Sequence, residues 1–135
     1  MSLEAEILKM VRILIIEDDE EMRALLRDSL VEDGIEFDSA ENGSEAIQKL
    51  VEEPFDLVIT DIRMPGLTGL DILPWIKRLQ PETFVVVITA FGSEEVRRKS
   101  FDRGAMAYLE KPINMDRLKT LIQEMVSTKE KGARA

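Results

Sequence analysis

Val11-Arg12-Ile13-Leu14-Ile15-Ile16-Glu17-Asp18-Asp19-Glu20 sets a short apolar run directly against four carboxylates. The run is nearly continuous in branched apolar side chains, as expected of a strand buried on both faces. A central parallel strand has that environment, because the crossover helices cover both sides of the sheet. Phe84-Val85-Val86-Val87-Ile88-Thr89 repeats the pattern, and a third run covers 55–60. Weaker runs lie at 35–39 and 106–109.

Helical spacing fills the gaps. Met22, Leu25, Leu26, Ser29 and Leu30 recur at three and four residues, as one helix face does. Ala46, Ile47, Leu50 and Val51 do the same, as do Ile72, Leu73, Ile76 and Leu79. Met115, Leu118, Leu121, Ile122, Met125 and Val126 form the cleanest face, with Asn114 as a good N-cap. Pro74 is expected near the start of the third helix, since deeper in it would remove a helical hydrogen bond. The fourth helix, over 93–103, is the poorest, with Val96 and Phe101 its only large apolar residues. Ser93 can cap it, and Glu94 and Glu95 suit its first turn.

Five strands, each followed by a helix, predict an α/β fold with helices on both faces of an open parallel sheet. Right-handed crossovers favour the doubly wound strand order 2-1-3-4-5. Residues 1–10 read as an N-terminal lead, 11–126 as one domain, and 127–135 as a polar C-terminal tail or linker, frayed at its end.

The chain has 135 residues and a net charge of −9, which fits one domain and argues against direct nucleic-acid binding. It contains neither Cys nor His. Thiolate and imidazole metal sites, disulfides and histidine base catalysis are therefore excluded, and any metal site must be built of oxygens. No apolar run has the length of a membrane span, and the N-terminus lacks a secretory signal pattern, so the cytoplasm is the default compartment.

In such a sheet the C-terminal ends of all strands share one edge, and ligands bind there. The first strand ends in Glu17, Asp18, Asp19 and Glu20, and the third in Thr60-Asp61. The fourth ends in Thr89-Ala90, and the fifth runs out through Glu110 to Lys111-Pro112. Clustered Glu17, Asp18 and Asp61 repel one another, and a divalent cation such as Mg2+ (or Mn2+) would relieve this. Lys111 could pair with an incoming anion and the Thr89 hydroxyl could bond to it. Phosphoryl transfer requires mainly alignment and charge neutralisation, with the Asp61 carboxylate as nucleophile.

These residues resemble the receiver domains of two-component response regulators, over about 11–125. The matching pieces are Ile13-Leu14-Ile15-Ile16-Glu17-Asp18-Asp19-Glu20, Asp61-Ile62-Arg63-Met64-Pro65-Gly66-Leu67-Thr68-Gly69, Ile88-Thr89-Ala90 and Tyr108-Leu109-Glu110-Lys111-Pro112. The resemblance implies a CheY-like, flavodoxin-like (βα)5 fold. It makes Asp61 the phospho-acceptor, Asp18 a direct metal ligand and Glu17 its neighbour acting through water. Arg63 would complete the metal shell with its backbone carbonyl. Thr89 and Ala90 match the phosphoryl-sensing pair, Lys111 the partner lysine in a cis bond to Pro112, and Tyr108 the switch aromatic. The donor would be a sensor histidine kinase or a phosphotransfer protein. The responding face would be helix 4, strand 5 and helix 5, which could also form a homodimer. The stretches 89–93 and 102–112 look most like receivers of nitrogen-regulator-type transcription activators.

Each feature alone has a plainer explanation. Acidic residues after a strand often cap a helix, and Asp19 is expected to do so. Gly66 and Gly69 read as turn formers, the methionines as core filler, and Trp75 as a partly exposed helix residue. A constitutive interaction module on the same fold would need a decayed site, yet all acceptor residues are present. A flavin carrier would need a phosphate-cradling loop where acidic 17–21 stands, and no Gly-rich nucleotide loop occurs.

Overall fold

The computed structural model describes residues 11–31, 34–64 and 66–134, together with Leu3 and Glu6; for 129–134 it describes the backbone only. Pro65 and most of the N-terminal lead lie outside the described residues. The strands are β1 (Arg12–Ile16), β2 (Glu36–Ala40), β3 (Leu57–Asp61), β4 (Phe84–Thr89) and β5 (Ala107–Glu110). The helices are α1 (Glu20–Val31), α2 (Gly43–Glu52), α3 (Gly69–Leu79), α4 (Glu94–Asp102) and α5 (Met115–Arg134). All strand pairs are parallel and the order is β2-β1-β3-β4-β5. This is the doubly wound α/β fold expected from the alternating pattern.

Strand parity sorts the core into two layers. Ile13, Ile15, Leu57, Ile59, Val86 and Ile88 meet Leu26 and Leu30 of α1 and Leu118, Leu121, Ile122 and Met125 of α5. Leu14, Ile16, Val58, Val85 and Val87 meet Ala46 and Leu50 of α2 and Ile72, Leu73 and Ile76 of α3. Full burial of each such Leu or Ile contributes about 1.5–3 kcal/mol. Asn42, Thr68, Ser93 and Asn114 accept backbone N–H bonds at the starts of α2 to α5. Asp19 does so at α1, accepting from Glu21 N at 3.0 Å.

α4 is held lightly. Its one buried side chain is Ser100, whose hydroxyl is turned back onto the Val96 carbonyl at 2.8 Å. Phe101 is exposed, beside Arg97.

Three local features differ from expectation. Pro74 is the sixth residue of α3, inside the helix, and not in its first turn. The helix starts earlier because Thr68 and Asp71 form a capping box. Pro74 has no N–H for the Leu70 carbonyl, and Arg103 Nη1 donates to that carbonyl instead, at 2.8 Å. β5 spans 107–110 where 106–109 is expected. The backbone over 127–134 continues α5; its Lys, Glu, Ala and Arg are strong helix formers, against the weaker Ser127 and Thr128 and the helix-disfavouring Gly132.

Candidate functional site

The two acidic strand ends meet. Glu17 follows β1 and Asp61 closes β3; their exposures are 1% and 5%. Asp18, next to Glu17, is exposed. One carboxylate oxygen from each of Glu17, Asp18 and Asp61 lies within 4.8 Å of the others. Lys111, just past β5, reaches across β4 to this cluster. Its Nζ donates to Glu17 Oε1 and to Asp61 Oδ2, both at 2.7 Å. The other Asp61 oxygen, Oδ1, accepts from the Arg63 backbone N–H at 3.0 Å.

Charge at this rim is unbalanced, with three carboxyls facing one ammonium. The Glu17 carboxyl is pushed up to about 7, first by burial and then by hydrogen bonding and charge from Asp61, against the pull of Lys111. Burial alone would lower the Lys111 pKa, but its bonds to Asp61 and Glu17 outweigh this and raise it. Glu17 Oε2 is buried and has no hydrogen-bond partner among the described residues. An orphaned anionic oxygen beside two further carboxylates fits a hard divalent cation, which takes oxygen ligands and adds the missing positive charge.

Thr89 is fully buried at the end of β4, and its Oγ1 accepts from Phe91 N at 3.2 Å. Ala90 is exposed beside it. The Lys111 backbone N–H donates to the Thr89 carbonyl at 2.9 Å, and the Lys111-Pro112 bond is cis. Tyr108 is half-buried, and its buried hydroxyl has no partner in good hydrogen-bond geometry among the described residues.

Further residues serve this rim. Arg23, one turn into α1, donates from Nη1 to the Glu17 carbonyl at 2.7 Å and so fixes the first acidic loop. The Arg63 guanidinium lies over the Phe91 ring at 4.5 Å, joining the loops after β3 and β4. Gly69 is a close-approach glycine: a Cβ there would overlap the Asp61 carbonyl oxygen and lie 2.9 Å from Ile62 Cα. Its N–H donates to the Ile62 carbonyl at 2.9 Å. Gly66 does hold a turn, with φ of 77°. Spacing alone suggests none of the Arg23, Phe91 and Gly69 contacts, because each partner comes from a different element or loop.

Residues 13–123 match the family model of the response regulator receiver domain. The chain belongs to that family. This receiver is 38% identical over 109 residues to the response regulator PilR of Pseudomonas aeruginosa, covering 81% of this chain and 24% of PilR. It is 32% identical over 113 residues to the transcriptional regulator NtrC of Escherichia coli K12, covering 84% and 24%. The receiver thus spans about a quarter of the length of these curated relatives. Among solved structures, a CheY-like receiver from Methanospirillum hungatei superposes with a TM-score of 0.86 at 31% identity, covering 90% and 98% of the two chains. TrrA of Thermotoga maritima, in complex with Mg2+ and BeF, gives 0.78 at 36% identity, covering 86% and 99%. No helix among the described residues is long and apolar enough to cross a membrane.

Proposed function

We propose that this receiver accepts a phosphoryl group on Asp61 from a phosphohistidine of a sensor histidine kinase or phosphotransfer protein. The carrying observation is the position of Lys111, which bonds the buried Asp61 carboxylate and Glu17 at 2.7 Å each across the strand ends. Asp61 Oδ2 attacks phosphorus, the P–N bond to the donor imidazole breaks, and its electron pair leaves with the imidazole. The product is an acyl phosphate on Asp61. The chain itself has no His, so the phosphohistidine lies outside it.

Asp18, Asp61, the Arg63 carbonyl and, through water, Glu17 would hold Mg2+ (or Mn2+). The bound cation supplies neutralisation of charge on the phosphoryl oxygens. Lys111 neutralises the same charge from the other side, and the Thr89 hydroxyl and Ala90 N–H bond the phosphoryl oxygens. To do so Thr89 turns from Phe91 toward Asp61, and Tyr108 follows it. The lightly held α4 then shifts with β5 and α5, biasing a pre-existing equilibrium. An output domain, a partner or a second copy of the chain would read that face. The chain catalyses only its own phosphorylation and dephosphorylation, in the cytoplasm, without contact to nucleic acid or membrane.

The test is exposure to Mg2+ with beryllofluoride, a phosphoryl mimic. Chemical-shift changes centred on Asp61, Thr89 and Lys111, lost in Asp61→Asn, are expected. An unchanged amide spectrum would overturn the proposal.

A further inference from the structure

Gly92 lies in the loop between β4 and α4, three residues past Thr89. Its backbone is unexceptional: the positive-φ glycines among the described residues are Gly34, Gly66 and Gly104. Conformational freedom therefore does not account for a glycine here, but space does. A Cβ at 92 would overlap the Tyr108 hydroxyl, lie 2.8 Å from the ring Cζ, and lie 3.2 Å from Thr89 Cγ2. The end of the Tyr108 ring thus fills the volume of the absent side chain.

The ring end is poorly held by hydrogen bonding: the Ser93 backbone lies near the hydroxyl, but in poor geometry. Among the described residues the buried hydroxyl has no partner in good hydrogen-bond geometry, and a buried polar group left poorly paired is destabilising. Burial raises the phenol pKa, and the Glu110 charge adds to the rise. Tyr108 is therefore seated by fit, against Gly92 on one side and the Thr89 methyl near the same point. The seat has no reserve, because packed interiors do not absorb an extra methyl without displacing something.

We propose that Gly92 is a positioning residue for the phosphorylation response: its bare α-carbon is the seat of the Tyr108 ring, and any side chain at 92 holds Tyr108 outside. The seat also lies against the Thr89 methyl, so movement of Thr89 reshapes the space that Tyr108 fills. The link to phosphorylation rests on the function proposed above, whereas the seating of the ring does not.

Tyr108 is the only tyrosine, so protein labelled with 13C on the tyrosine ring reports this residue alone. Wild type and Gly92→Ala would be compared without ligand and with Mg2+ and beryllofluoride. In Gly92→Ala the ring signals are expected to move to solvent-exposed values and to stay there when the mimic is added. Unshifted ring signals in folded, ligand-free Gly92→Ala would overturn the proposal, as would a full wild-type ring response to the mimic. Should Gly92→Ala not fold, Gly92→Ala/Tyr108→Ala decides: recovered folding supports the seat, and continued loss of folding overturns it. Failure of the mimic to bind wild type would remove the proposed function but leave the ligand-free comparison decisive for the seat.

Discussion

Glu17 makes the resting protein's stability fall with pH in a defined window. Its ordinary pKa of 4.5 rises to about 7 in the fold, chiefly through burial at 1% exposure. The folded state therefore holds a proton that the unfolded state has released between those values. Stability from this group is complete below pH 4.5 and is lost as pH rises toward 7. At ~1.4 kcal/mol per pH unit, the loss is about 3 kcal/mol. Glu17→Gln keeps the shape and an oxygen for Lys111 but cannot ionise. Urea unfolding in chelator should show the two proteins nearly equal at about pH 5, and the variant ~2–3 kcal/mol more stable at about pH 8. Titrating groups remote from the rim, such as Asp38 with Lys49, are common to both proteins and cancel. Millimolar Mg2+ should narrow the gap at high pH by stabilising wild type. A gap that stays constant with pH, or opens toward acid, would refute this account of the rim.

Gly69→Ala drives a methyl into the Asp61 carbonyl; thermal or urea melts should show a loss of ~1–3 kcal/mol, accompanied by weaker binding of the phosphoryl mimic. Gln80 donates to the Leu50 and Glu53 carbonyls at 2.7 and 2.6 Å and accepts from Phe55 N at 2.8 Å. Gln80→Ala should cost about 2 kcal/mol in a urea melt and leave mimic binding unchanged, since the network lies at the opposite strand ends. Arg103→Met removes the donor that serves the Leu70 carbonyl freed by Pro74. Its destabilisation should shrink in a Pro74→Ala background, where the helix supplies that hydrogen bond itself, and a double-mutant cycle measures the difference.

The strand order and the rim were legible because they depend on where apolar runs stop. Ile16 to Glu17 and Thr60 to Asp61 are abrupt changes of polarity, and parallel pairing carries both to one edge. The depth of Pro74 was legible in principle, since Thr68-Gly69-Leu70-Asp71 has the spacing of a capping box. What the pattern does not contain is the orientation of side chains across elements. That Lys111 spans both Glu17 and Asp61 depends on how far the chain travels past β5. That Gly69 serves close approach, while Gly66 serves a turn, depends on the angle at which α3 leaves β3. The stacking of Arg63 on Phe91 joins two loops whose positions only the folded sheet sets. Conversely, the sparse apolar face of 93–103 correctly signalled a weakly packed helix, because little else can attach α4 to the sheet.

In the function proposed above, the Asp61 carboxylate receives the phosphoryl group. Intact-mass and peptide mass spectrometry after incubation with a small acyl phosphate and Mg2+ tests it directly. One added phosphoryl group, localised to Asp61, absent from Asp61→Asn and lost on mild alkaline hydrolysis, is the predicted result. A phosphoryl group on another residue, or equal labelling of Asp61→Asn, would contradict it.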